Sequence, residues 1–192
     1  MRRIIFLALG VLLFTFSVSA QDAMLTKEET VNYLQKRLRE VDGRYKTVVG
    51  DRFTYSDPSI KLQTDGTVEL IYTRTSSESF CPGGYPIKYS YRFDPGEVER
   101  VGIYGSEKAD DPVRHLAIVF KAKTARARED HFRDRQCNRG LGYKYGTNRQ
   151  WGDLQEVEFP FFATTPENRG RITRAILHLR DLAKAEEDPF SK

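Results

Sequence analysis

The sequence predicts an α+β fold: an antiparallel, roughly seven-stranded barrel or strongly curved sheet, with a C-terminal helix and an extra N-terminal helix. Three observations carry this. Two stretches with helical periodicity bracket the chain, Thr26 to Val41 and Pro166 to Ala185. Between them the apolar period is two, the spacing of a sheet with one buried face. Short turns such as Asp65-Gly66 and Asp94-Pro95-Gly96 link consecutive runs, which favours antiparallel neighbours.

The first 20 residues are read as an export signal. Met1-Arg2-Arg3 supplies positive charge, Ile4 to Phe16 is almost unbroken apolar sequence, and Ser17-Val18-Ser19-Ala20 is a small-residue cleavage site. Cleavage after Ala20 leaves a single α+β domain from Gln21 to Lys192, in the periplasm or secreted. The opening apolar stretch falls short of the roughly 20 residues that span a bilayer. Nothing later is long and apolar enough to do so, and the mature chain is expected to have no transmembrane segment.

The N-terminal helix is expected over about 26–42. Thr26 caps it, Glu29 stands at the capping-box position, and Val31, Leu34, Leu38 and Val41 form its apolar face. Gly43 ends it. Strands are expected between about 45 and 161: 45–49, 52–63 taken as one interrupted run, 67–75, 85–93, 98–104, 115–121 and 157–161. Ile87, Tyr89, Tyr91 and Phe93 alternate with Lys88, Ser90 and Arg92. Val157, Phe159 and Phe161 alternate with Glu156 and Glu158, which are placed on the wet face. Pro160 suggests an edge position or strand end. The last helix, about 166–185, begins at Thr165-Pro166-Glu167 and buries Ile172, Ile176, Leu179 and Ala183.

Of 31 Lys and Arg side chains, Arg2 and Arg3 leave with the signal. The remaining 29 face 27 acids, a net of +2, which predicts no nucleic-acid partner. The charge is uneven. Residues 121–149 carry nine bases against three acids and read as a long loop. Arg126, Arg128, Arg133, Arg135 and Arg139, with Tyr143, Tyr145 and Trp151, form the candidate binding set. Cationic groups beside aromatic rings suit an anionic polymer, a glycan or a lipid headgroup. The competing reading is a solvated charged face, in which Arg128-Glu129-Asp130 pairs locally as a short helix.

An even count of two cysteines in an exported chain favours a Cys81–Cys137 disulfide, worth roughly 4 kcal/mol in the chain-entropy model. Two free thiols are the alternative. No metal-ligand spacing joins His131 to the cysteines, and no cofactor is expected. His115, His131 and His178 stand alone, and G-x-S-x-G, H-E-x-x-H and P-loop motifs do not occur. The chain is therefore expected to be no enzyme but a non-catalytic binding or envelope-interaction domain. An exported hydrolase and a carrier of a small apolar ligand are the alternatives.

The layout of seven antiparallel strands and one closing helix, from Tyr45 to Ala185, resembles the pleckstrin-homology-like barrel. The Thr26 to Thr30 start and the Asp188-Pro189-Phe190 tail are similar to small exported bacterial proteins without an assigned function. The resemblance implies that the loops holding Cys81 and Cys137 lie near one open end, where the two sulfurs can meet.

Overall fold

The computed structural model describes residues 25–48, 51–77, 85–105, 111–131, 151–163 and 165–187. The proposed signal, Cys81, Cys137, Arg133, Arg135, Arg139, Tyr143, Tyr145 and the Asp188-Pro189-Phe190 tail lie outside them.

Helix α1 runs Lys27–Arg39 and begins as its sequence requires. The Thr26 hydroxyl accepts from the Glu29 N–H at 3.2 Å, and the Glu29 carboxylate accepts from the Thr26 N–H at 2.8 Å. Two otherwise orphaned donors are satisfied at once. Gly43, at φ 69°, takes the left-handed conformation that turns the chain toward the sheet. Thr26→Ala should cost about 1 kcal/mol of stability, measured as a lower urea midpoint; an unchanged midpoint would mean the box contributes nothing.

Nine strands follow: β1 (Tyr45–Val48), β2 (Asp51–Leu62), β3 (Val68–Ser76), β4 (Tyr85–Phe93), β5 (Val98–Ile103), β6 (Val113–Phe120), β7 (Ala125–His131), β8 (Gly152–Leu154) and β9 (Glu156–Phe162). Helix α2, Pro166–Glu187, closes the chain. Every strand pair is antiparallel, as the alternation predicts. The strands form two sheets rather than one closed barrel, ordered β1-β2-β3-β4-β7-β8 and β5-β6-β9. The expected count of seven is two short because β7 and β8 lie in or beside the stretch read as a loop. Arg128-Glu129-Asp130 is strand, not helix; Arg128 does reach Asp130, at 2.9 Å, but along an extended backbone.

The turns also differ from expectation in one respect. The β2–β3 hairpin closes on Thr64-Asp65-Gly66, with Gly66 at φ 80° and Asp65 accepting from the Thr67 N–H. The Asp94-Pro95-Gly96 turn is a short 3-10 segment, Pro95–Glu97, but it passes the chain from the first sheet to the second and does not pair β4 with β5.

Strand β2 breaks register between Ser56 and Ser59, where Asp57 sits at φ 53°. Helix α1 repairs the interruption. The Gln35 amide donates to the Pro58 carbonyl at 3.3 Å and accepts from the Ile60 N–H at 2.6 Å. A side chain thus occupies the place of a missing ladder partner.

Ile172, Ile176 and Leu179 are buried, as the stripe predicts, and join one core with Leu34, Leu38, Leu116, Ile118, Val157 and Phe159. Burying each such side chain contributes up to roughly 1.5–3 kcal/mol. Strand β6 is buried on both faces: Leu116 and Ile118 join the core on one, and His115 meets Lys46 and Tyr55 of the first sheet on the other. Its neighbour β9 is an edge strand, which accommodates Pro160.

Candidate functional site

The first sheet turns one face toward the second, and the pairing identifies the residues on it. Lys46 stands opposite Phe53, Phe53 opposite Ser76, Tyr55 opposite Arg74, and Tyr72 opposite Tyr89. In the second sheet His115 pairs with Pro160 and Ala117 with Glu158, so His115, Ala117 and Glu158 share a face. Their contacts with the first sheet define a polar seam, located where β3 ends and β4 begins.

At the centre is His115, 2 % exposed. Its Nδ1 lies 3.2 Å from Lys46 Nζ and its Nε2 lies 2.8 Å from the Tyr55 hydroxyl. A charged ammonium can only donate, so Nδ1 accepts and the ring proton sits on Nε2, donating to Tyr55. The Arg74 guanidinium lies close enough to the same phenol to act on it electrostatically. Burial, Lys46 and Arg74 together push the imidazole down to a pKa of about 3, so it is neutral at physiological pH.

Glu158 lies 4.0 Å from His115 Nε2 and accepts a hydrogen bond from Tyr104. Burial raises its pKa, while Tyr104, Arg74 and Lys46 hold the rise back. Burial also pushes the Tyr104 phenol up to about 12 and raises Tyr55, Tyr72, Tyr89 and Tyr91. The expectation that Glu158 faces water is overturned: strand alternation puts it opposite Phe159, but that second face is covered by the first sheet.

Arg74, on the same face as Tyr55 and Tyr72, is half-buried. Its guanidinium lies 5.0 Å from the Phe53 ring centroid and 4.9 Å from that of Tyr89, and it donates to the Tyr89 hydroxyl at 2.6 Å. Among the described residues its hydrogen-bond partner is a phenol, not a carboxylate. Lys46 and Arg74 face Glu158, and Glu129, opposite Tyr89 on the same face, adds a second carboxylate, so the charges of the seam balance. Among the described residues, no group of three His, Cys, Asp or Glu side chains converges to hold a metal.

Of the sequence-predicted set, only Arg126, Arg128 and Trp151 are described, and they do not join this seam. Strand β7 places both arginines on the opposite face of the first sheet, where Arg92 pairs in register with Arg126 and Ser90 with Arg128. Arg126 lies over the Trp151 ring at 5.8 Å. Arg128 is tied to Asp130, and neighbouring Arg92 is tied to Asp65. Much of the charge on that face is thus compensated.

His115, which stands alone in the sequence, is the third residue of β6 and is buried at the centre of the seam. His178 lies on α2, where its Nε2 donates to the Leu25 carbonyl at 2.8 Å. Lys46, Tyr55, Arg74, Tyr89, Tyr104 and Glu158 were not singled out by the sequence, and only their strand register brings them together. No family model, curated protein or solved structure matches the chain. Among the described residues no helix is long and apolar enough to cross a membrane.

Proposed function

We propose that the protein is an exported, non-catalytic binding domain whose ligand is an anionic glycan held at one point of the seam. The observation that carries this is Arg74. A half-buried guanidinium flanked by two aromatic rings, with no carboxylate bonded to it among the described residues, presents donors for a carboxylate or sulfate. The Phe53 and Tyr89 rings offer apolar surface to a sugar, and the surrounding phenols offer hydroxyl partners. The polar lining favours such a guest over the apolar one also considered.

His115 is read as a positioning group. Both of its nitrogens are engaged and it is held neutral, which leaves no lone pair to remove a substrate proton. Without β7 and β8 the layout is seven antiparallel strands and a closing helix, which supports the pleckstrin-homology-like reading as part of this proposal. Export is tested by sequencing the mature N-terminus, expected at Gln21, and the Cys81–Cys137 bridge by mass analysis of unreduced peptides.

The binding test uses oligogalacturonate and a heparin oligosaccharide as probes. Wild type should bind at least one of them, more weakly as salt rises. Arg74→Gln should lower that affinity about tenfold or more, equivalent to roughly 1.4 kcal/mol. A variant with Arg126, Arg128, Arg133 and Arg135 all changed to Ser should keep most of it. Loss in the serine variant with retention in Arg74→Gln would move the site to the outer basic face. No binding of either probe by wild type would end the proposal.

A further inference from the structure

The groove between the two helices is a second site, independent of the seam. Helices α1 and α2 run antiparallel, with Lys27 at the start of α1 bonded to Glu186 near the end of α2 at 2.6 Å. Two cavities open along the groove. One, about 490 Å³, lies between the end of α1 and the start of α2 and is walled by Arg37, Arg44 and Arg171 with Glu40 and Glu167. The other, about 290 Å³, is lined largely by apolar surface from Leu25, Tyr33 and Ala175. Arg171 borders both, and Arg37 lies over the Tyr33 ring at 5.3 Å, so the cavities adjoin.

The charges of the larger cavity do not cancel. Arg37 is paired with Glu40 at 2.7 Å and Arg171 with Glu167 at 2.8 Å. Arg44 instead lies 4.8 Å over the Phe162 ring. Three guanidiniums face two carboxylates in this cavity, and Arg174 adds a further positive charge on the wall of the smaller one. The Arg37 Nε is buried and has no hydrogen-bond partner, a donor whose desolvation is not compensated. At the other end of the groove Leu25 is exposed at 46 %, a large apolar side chain left in water. Both volumes are close to or within the range of small-molecule sites, about 300–1,000 Å³.

We propose that the groove binds a single-chain amphiphile with a carboxylate head, a long-chain fatty acid. The carboxylate would meet Arg44 and Arg171, and the chain would cover Leu25, Tyr33 and Ala175. The surplus of positive charge favours an anionic head, and the guanidinium fork matches a carboxylate in two parallel hydrogen bonds.

Titration calorimetry with dodecanoate, dodecanol and acetate tests this on the full mature chain. Dodecanoate should bind, dodecanol should bind at least tenfold more weakly, and acetate should give no heat. The double variant Arg44→Gln with Arg171→Gln should lose tenfold or more for dodecanoate, because both side chains are at the surface and their removal leaves the core intact. Ala175→Phe should weaken it by filling the apolar cavity. Arg74→Gln, in the seam, should leave it unchanged. Equal affinity for dodecanol and dodecanoate, no effect of the double variant, or no binding of dodecanoate would overturn the proposal. So would a dimer in sedimentation that the double variant converts to monomer, which would assign the groove to a second copy of the chain.

Discussion

Between pH 6.5 and 4.5 the protein is expected to lose about 2–3 kcal/mol of stability through His115 alone. The sign follows from the seam. The folded imidazole is held down to about 3 by burial, Lys46 and Arg74, whereas in the unfolded chain it titrates near its ordinary 6.5. Above 6.5 neither state is protonated and the neutral, buried ring makes its full contribution. As the pH falls below 6.5 the unfolded chain takes up a proton that the folded one refuses. Stability then declines by roughly 1 to 1.5 kcal/mol per pH unit until the folded pKa is reached.

Glu158 works in the other direction. Its folded pKa is raised, so as the pH falls toward its ordinary value the folded state takes up the proton before the unfolded chain does, which partly offsets the His115 loss; below that value both states are protonated and nothing further is gained. The check is urea denaturation of wild type and His115→Gln across this range. At pH 7 the variant should be the less stable, and the gap should shrink by about 2–3 kcal/mol on reaching pH 4.5. Parallel curves would show that His115 does not stay neutral in the fold.

Lys46→Met should change stability by no more than about 1 kcal/mol while weakening ligand binding, because the cost of burying the ammonium is removed but His115 Nδ1 loses its donor and Glu158 a nearby cation. The Lys46 side chain is 7 % exposed, and its ammonium is hydrogen-bonded to the uncharged Nδ1 of His115. Removing an ammonium from water costs several kcal/mol, and one bond to a neutral acceptor returns roughly 1 to 3 of them. Methionine keeps the reach and apolar stem without the charge. The seam would then carry surplus negative charge, from Glu158 and Glu129 against Arg74, so affinity for an acidic saccharide should fall about tenfold. One of the causes depressing His115 would also be gone, so the pH-dependent loss should become smaller. Destabilisation beyond that would mean that Lys46 has a stronger partner than the imidazole. An unchanged affinity would mean that the seam's charge is irrelevant to binding.

The features legible in the sequence are those fixed by neighbours along the chain. Thr26 and Glu29 form their box within one turn. Ile172, Ile176 and Leu179 share a face because the helix repeats every 3.6 residues. Ile87 to Phe93 alternates so cleanly that its strand needs no tertiary information. β7 was missed because the inward positions of Ala125 to His131 hold two small residues, Ala125 and Ala127, then Glu129 and His131, while the outward ones are all charged, so neither register reads as an apolar face. The seam was missed for a different reason. A charge on an alternating strand looks solvent-facing unless a second sheet covers it. Lys46, Arg74 and Glu158 are brought together by the pairing of β1 with β2 and of β2 with β3, and by contact between sheets. Local periodicity encodes none of these.

The path of the chain between its sheets governs how it can be divided. Strands β1 to β4 enter the first layer, β5 and β6 the second, β7 and β8 return to the first, and β9 goes back to the second. Neither layer is therefore a contiguous stretch of sequence that could be excised. A fragment ending at Phe120 would expose the free edge of β4, with Tyr89 and Tyr91 beside it, and would leave β6 without its second neighbour. Such a piece is a template for intermolecular strand addition, so attempts to isolate half of the protein should yield aggregates and not a smaller domain.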